Sequence, residues 1–191
     1  MLIPGDSTRR ELLRSAVGEW LQQIVARTER RVVARRYHRP PGALPEIEFL
    51  ASCTRCGACI DACPPHALVK VAPDGGLAAG TPHLDFGAQP CIACETMPCA
   101  AACPSGALVI PQDVWAGYRL AELEFFPERC LTFRGTACRV CSEACPVGDA
   151  ALTTDEAGHP VLRREGCVGC GVCAQACVTT PSSFELGFPG G

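Results

Sequence analysis

The chain has 191 residues and 16 cysteines but only 11 aromatic residues, so metal sites or disulfides, rather than a large side-chain core, must stabilise it. Its net charge of −3 is uneven: residues 1–39 contain nine arginines and four acidic residues, whereas residues 40–191 contain eight basic and 16 acidic residues. This acidic body argues against a nucleic-acid partner, and no apolar run approaches the roughly 18 residues of a membrane span.

Residues 1–36 are predicted to form a basic amphipathic helix. Apolar residues recur in pairs four residues apart, from Leu12 to Val25. Arg9 and Arg10 look like the start of a twin-arginine export signal, but polar residues such as Glu19 interrupt the apolar region that a signal needs. We therefore expect a docking helix that contacts a partner or, peripherally, a membrane surface; an export signal and a simple packing helix are the alternatives.

Residues 37–50 are rich in proline. Pro40, Pro41 and Pro45 favour an extended chain. The sequence therefore predicts a linker here, leading into a ferredoxin-type body over residues 51–191.

The body opens with a run of four cysteines. It reads Cys53-Thr-Arg-Cys56-Gly-Ala-Cys59-Ile-Asp-Ala-Cys63-Pro64, the bacterial-type C-x2-C-x2-C-x3-C-P motif of a [4Fe–4S] cluster. The first three thiolates are close enough in sequence to bind one cluster, while the fourth usually binds another. A second run must therefore supply the missing ligand.

Three further runs follow, and the four runs together use all 16 cysteines. Runs two and three carry insertions, and run four has Val178 in place of the proline. Gly57 and Gly171 are expected to let the backbone curl toward a cluster and donate N–H groups to it. The pattern predicts four [4Fe–4S] clusters, with zinc or disulfides as the alternatives. The predicted iron ligands are Cys53, Cys56, Cys59 and Cys63 in run one, Cys91, Cys94, Cys99 and Cys103 in run two, Cys130, Cys138, Cys141 and Cys145 in run three, and Cys167, Cys170, Cys173 and Cys177 in run four.

Short strands are predicted after three of the runs, over residues 67–71, 107–110 and 150–153. Glycine-containing turns at residues 74–76 and 156–159 follow two of them. Residues 111–129 are the most aromatic segment, and we expect them to pack between cluster-binding lobes.

The spacing suggests which runs share clusters. Runs one and four have the same compact spacing, so we expect an outer unit (51–72 with 158–185) that encloses an inner one (88–152). The predicted fold class is α+β and loop-rich, with two nested bacterial-ferredoxin-like units of two [4Fe–4S] clusters each, preceded by the amphipathic helix. The alternative pairs adjacent runs. The nested ligand sets are Cys53, Cys56 and Cys59 with Cys177; Cys167, Cys170 and Cys173 with Cys63; Cys91, Cys94 and Cys99 with Cys145; and Cys130, Cys138 and Cys141 with Cys103.

Residues 49–177 resemble the ferredoxin-type proteins of the NapF/NapG/MauM group. The likeness lies in residues 49–59, 90–108 and 130–141, and in the Cys177-Val178 pair, which is similar to NapG and MauM. It implies an accessory protein of a periplasmic nitrate reductase or a methylamine-utilisation system. The start of the chain looks more like the cytoplasmic NapF type. Related four-cluster subunits of molybdoenzymes imply the same nested pairing.

These features predict an electron-transfer protein, not an enzyme. Four clusters in a small body would relay single electrons to or from a partner oxidoreductase, with a membrane quinol-oxidising subunit and a reductase as the expected partners. The four histidines, His38, His66, His83 and His159, are scattered singly and read as packing or surface residues. The alternative to an electron-transfer function is a maturation protein that binds a molybdoenzyme precursor. The expected location is cytoplasmic, peripheral to the inner membrane; periplasmic, after twin-arginine export, is the alternative.

Overall fold

The computed structural model describes residues 37–112, 115 and 118–189, which belong to one compact unit. The helix predicted for residues 1–36 lies outside the described residues. Within them, five short α-helices and three two-stranded antiparallel sheets are joined by loops. The predicted α+β, loop-rich class is therefore confirmed.

Four of the five helices are short segments within the cysteine runs. The first, α1, spans Glu46–Ser52, and each of the other four contains the third cysteine of one run. No helix in the described residues is long and apolar enough to cross a membrane. These four helices are α2 (Ala58–Asp61), α3 (Pro98–Ala101), α4 (Val140–Glu143) and α5 (Val172–Ala176).

Two of the sheets are local hairpins. Strands β1 (Leu68–Lys70) and β2 (Pro82–Leu84) pair across a connection that contains a short 3-10 helix, Pro73–Ala78, and β4 (Leu152–Thr154) and β5 (Pro160–Leu162) pair across a turn. They confirm the strands predicted over residues 67–71 and 150–153. The strand predicted over residues 107–110 is reduced to a single bridge between Ala43 and Leu108.

The third sheet joins distant parts of the chain. Strand β3 (Glu122–Phe125) pairs with β6 (Phe184–Gly187), so the segment after run two lies against the segment after run four. We call residues 37–112 lobe one and residues 118–189 lobe two. Helix α2 packs against α3 in lobe one, and α4 packs against α5 in lobe two.

Residues 37–50 are not the linker that their prolines suggested. Helix α1 begins at Glu46, and Phe49 on this helix is fully buried. The Arg39 guanidinium donates to both carboxylate oxygens of Glu46, at 2.8 and 2.6 Å, and to the Thr81 hydroxyl at 2.9 Å. The same guanidinium lies 4.7 Å from the centre of the Phe49 ring. This segment is therefore part of lobe one, and the prediction of a linker was wrong.

The aromatic segment bridges the two lobes. The indole N–H of Trp115 donates to the carbonyl of Cys94 in run two, at 2.9 Å. Five residues later, the backbone N–H of Leu120 donates to the carbonyl of Val168 in run four, at 2.8 Å. Trp115 and Leu120 therefore lie between the lobes, as predicted for this segment, whereas Phe125 packs in the core of lobe two.

The histidines are packing or surface residues, as predicted. His38 stacks on Phe188 with ring centres 4.2 Å apart, and burial lowers its pKa. His159 stacks on Phe133 in the same way, at 4.0 Å, while His66 is exposed.

Candidate iron–sulfur sites

The two compact runs share one local conformation. Gly57 and Gly171 directly precede α2 and α5 and have φ angles of 88° and 87°, which side-chain-bearing residues rarely adopt. The turn directs the backbone N–H of Ala58 at the sulfur of Cys56 and lowers the pKa of that thiol. At Cys170 the N–H two residues later has the same effect, although burial outweighs it and raises the pKa to about 11. The predicted role of both glycines is thus supported by their geometry.

Runs one and two share a first cavity, with about 310 Å³ of empty space. Cys53, Cys56 and Cys59 of run one line it together with Cys103, the fourth cysteine of run two. Cys59 lies at its buried end, and burial, followed by repulsion from Cys53, raises the pKa of Cys59 to about 12. Cys56, by contrast, is exposed.

A second cavity of about 320 Å³ is formed by the same two runs with their roles exchanged. Cys91, Cys94 and Cys99 of run two line it together with Cys63, the fourth cysteine of run one. Burial raises the pKa of Cys91 to about 12 and that of Cys99 to about 11. Lobe one therefore contains two four-cysteine sites whose runs exchange their last cysteine.

Lobe two contains a third cavity of about 320 Å³. Its cysteines are Cys167, Cys170 and Cys173 of run four and Cys145, the last cysteine of run three. Burial, followed by repulsion from its cysteine neighbours, raises the pKa of Cys173 strongly. The exchange seen in lobe one thus recurs here.

The four remaining cysteines, Cys130, Cys138, Cys141 and Cys177, also belong to lobe two. Burial raises the pKa of Cys141 to about 11, and repulsion from Cys130 and Cys138 adds to the effect. Cys177 follows directly on α5, the helix that packs against the Cys141-bearing α4. Cys141 and Cys177 both pack against the core around Leu152.

This grouping corrects the nested arrangement. The nested arrangement required Cys177 to join Cys53, but Cys177 packs in the core of lobe two and Cys53 in that of lobe one. Cys63 likewise faces run two, not run four. The physical reason is that α2 packs on α3 and α4 on α5, so runs adjacent in sequence are also adjacent in space. The three cavities follow the adjacent pairing, which was the alternative.

The sites suit a metal cluster better than a single ion or disulfides. All 16 cysteines are free thiols. In the part of the chain that the structure describes, no three His, Cys, Asp or Glu side chains converge tightly enough to hold one metal ion. A zinc ion with four Zn–S bonds of about 2.3 Å would draw the sulfurs to within roughly 4 Å of one another. A four-iron cluster has one iron for each thiolate, so its four sulfurs stand farther apart.

A set of hydroxyl groups that was not predicted lies beside the sulfurs. In three places, a serine or threonine two residues after a cysteine places its oxygen near the sulfur, and this C-x-[ST] spacing was visible in the sequence. Burial alone would raise the pKa of Cys177, but the Thr179 hydroxyl and nearby N–H groups outweigh it and lower that pKa to about 7. The pairs are Cys103 with Ser105 at 3.6 Å, Cys130 with Thr132 at 3.3 Å and Cys177 with Thr179 at 3.1 Å.

Comparison with protein families supports the assignment of lobe one. The 4Fe-4S dicluster domain family matches residues 52–107. This range contains runs one and two and neither of the other runs. The match therefore agrees with a pair of sites built by these two runs alone.

Similarity to characterised proteins extends over most of the chain. A methylamine utilization ferredoxin-type protein, MauM of Methylorubrum extorquens, is 39% identical over 80% of this chain and 75% of its own length. The ferredoxin-type protein NapG of Escherichia coli is 41% identical over 78% of this chain and 69% of its own length. The ferredoxin-type protein NapF of the same organism is 34% identical over 77% of this chain and 84% of its own.

Proposed function

The chain belongs to the NapF/NapG/MauM family of ferredoxin-type proteins, which are iron–sulfur electron-transfer proteins, and we propose that it binds four [4Fe–4S] clusters. The observation that carries this proposal is the exchange of the last cysteine between adjacent runs. Because of this exchange, four cysteines line each of three cavities. The sites are named in order: site A is Cys53, Cys56, Cys59 and Cys103; site B is Cys91, Cys94, Cys99 and Cys63; site C is Cys167, Cys170, Cys173 and Cys145; site D is Cys130, Cys138, Cys141 and Cys177.

The donor sets fit this cofactor. Each site supplies four thiolates, which is the number that a [4Fe–4S] cluster requires. Backbone N–H groups, such as those of Ala58 at Cys56 and Ser183 at Cys177, stabilise negative charge on the sulfurs. When bound, a [4Fe–4S] cluster takes up or releases one electron at a time.

Each proposed site neighbours the next in the order A, B, C, D. Cys59 of site A and Cys99 of site B are close enough for like-charge repulsion to contribute to the raised pKa of Cys59. The N–H of Cys91 in site B donates to the carbonyl of Cys170 in site C, at 3.1 Å, and joins the two lobes. Repulsion from Cys141 of site D likewise contributes at Cys173 of site C. This order supports a relay that runs from A through B and C to D.

The relay implies a redox partner protein at each end. We propose that these partners are a membrane quinol-oxidising subunit and a reductase of an amine-oxidising or nitrate-reductase-type pathway. We further propose that the chain has no catalytic centre of its own, because its cysteines serve as ligands and its histidines as packing or surface groups. Co-purification of proteins with the cluster-loaded chain tests the proposed partners. Preferential co-purification of an unfolded enzyme precursor would instead favour a maturation role.

We propose a cytoplasmic location beside the inner membrane, with residues 1–36 as the contact. Fractionation of cells that express the full chain with a C-terminal tag tests this. Recovery of a shortened chain from the periplasm would support twin-arginine export instead.

Iron and sulfide analysis tests the cofactor directly. Chain purified without oxygen should contain about 16 iron and 16 acid-labile sulfide atoms, and dithionite should bleach its broad visible absorption. Zinc without sulfide would reject the proposal.

A further inference from the structure

We infer that the hydroxyl groups of Ser105, Thr132 and Thr179 make the two end sites of the relay, A and D, accept electrons before the two central sites do. This inference rests on the four-cluster relay proposed above.

Site D has the strongest set of hydrogen-bond donors. The Thr179 hydroxyl lies 3.1 Å from the sulfur of Cys177, and the backbone N–H of Ser183 donates to the same sulfur at 3.4 Å. The Thr132 hydroxyl lies 3.3 Å from the sulfur of Cys130. A cysteine bound to iron is a thiolate and carries no proton, so in both contacts the hydroxyl must donate. Because reduction adds negative charge, such donors favour the reduced form.

Site A, in lobe one, has a related environment. The Ser105 hydroxyl lies 3.6 Å from the sulfur of Cys103, and the Thr54 side chain favours the thiolate form of Cys56. Cys56 is also exposed, so water can solvate added charge at this site. Both effects favour reduction.

The central sites are built differently. Among the described residues, the hydrogen-bonded hydroxyls belong to cysteines of sites A and D, and sites B and C have backbone donors instead. Five of the eight cysteines in sites B and C are buried, against two of the eight in A and D. Added charge is less stable in such surroundings, so electrons occupy these sites last.

Two arginines partly offset this effect at site C. Arg119 and Arg164 favour the thiolate form of Cys167, although burial has the larger, opposite effect on its pKa. Arg164 is 63% exposed and pairs with Glu122, so solvent and this carboxylate weaken its field. Site B has no such pair of arginines at its described cysteines, and we expect it to be reduced last.

The consequence is a two-electron state with one electron at each end. The two occupied sites are then separated by two oxidised ones, so a partner at either end can withdraw an electron independently. A reduced site B next to a reduced site C forms only when further electrons are added.

A reductive titration of the cluster-loaded chain, followed by electron paramagnetic resonance, tests this distribution. After two electrons, we expect two sharp, magnetically isolated signals, with broadening from neighbouring reduced clusters only at higher reduction. Broadened, spin-coupled signals at two electrons would overturn the inference. If the loaded chain instead contains fewer than four clusters by iron and sulfide analysis, the proposed function itself fails.

Matched hydroxyl variants test the cause. Thr179→Val combined with Thr132→Val should change the reduced-to-oxidised ratio of one end signal at least tenfold at fixed potential, equivalent to about 59 mV for one electron. Thr179→Ser alone should retain the parent value, and Thr153→Val, on β4, serves as the hydroxyl-deletion control. If the double variant binds too few clusters, Ser105→Ala provides the second test, and it must change the reduced-to-oxidised ratio of the signal from site A. An unchanged end signal in a fully loaded variant would reject the inference.

Discussion

Arg39 provides the sharpest test of the packing of residues 37–50, the segment that composition alone identifies as a linker. Its side chain is only 10% exposed, and Glu46, its main partner, is 31% exposed. The guanidinium makes a two-point contact with Glu46 and also donates to the Thr81 hydroxyl and the carbonyl of Pro82. We expect Arg39→Ala to destabilise the cluster-loaded protein strongly.

The magnitude follows from these contacts. Breaking a buried ion pair by removing one partner costs about 3–5 kcal/mol. Glu46 is partly exposed and regains some hydration, so we expect the lower end, about 3 kcal/mol. For a body of this size, each kcal/mol lowers the melting temperature by roughly 2–4 °C, which gives a fall of about 6–12 °C.

The measurement is thermal unfolding without oxygen, followed by circular dichroism at a fixed heating rate. Arg164→Ala is the matched control, because Arg164 pairs with Glu122 on the surface, where an ion pair contributes about 0–1 kcal/mol. Equal, small shifts for Arg39→Ala and Arg164→Ala would show that residues 37–50 are a linker after all.

Three further predictions concern the sites. Gly171→Ala should destabilise the protein by about 1–3 kcal/mol, because the new methyl group would lie 2.8 Å from Phe86 at a residue with a positive φ. Gly158 also has a positive φ but faces open space, so Gly158→Ala should lower the melting temperature less in the same experiment. Equal losses of stability in the two variants would contradict the contact with Phe86. The amount of iron that the protein retains at a fixed chelator concentration should fall as the pH is lowered from about 9 to 6. Burial raises the pKa of thiols such as Cys59 and Cys91 to about 12, so protons compete with iron for these sulfurs. Constant iron retention over this pH range would refute the prediction. Removing the iron should abolish cooperative unfolding, since the cysteines form much of both cores, and a metal-free chain that still melts cooperatively would argue against that role.

Local features of the fold could be predicted from the sequence because they depend on nearby residues. The turns at Gly57 and Gly171 follow from the need for positive φ beside the cysteines. The hairpins after runs one and three follow from short apolar segments with turn residues between them. The cysteine ligands themselves follow from their repeated spacing.

The long-range arrangement could not be predicted in the same way. Equal spacing in runs one and four reflects similar local turns and says nothing about whether they meet in space. Packing of α2 on α3 and of α4 on α5 decides the matter. Residues 37–50 show the same limit. Arg39 hydrogen-bonds to Thr81, 42 residues away, and no local sequence pattern predicts that contact.

The central claim is that adjacent runs exchange their last cysteines, and iron counts of paired variants test it most directly. Each single alanine substitution at Cys63, Cys91 or Cys167 should remove one cluster. If Cys63 and Cys91 share site B, the double variant Cys63→Ala/Cys91→Ala loses only that cluster and retains about 12 iron atoms, whereas Cys63→Ala/Cys167→Ala loses two clusters and retains about 8. The reverse result, with about 8 iron atoms for the first pair and about 12 for the second, would contradict the claim.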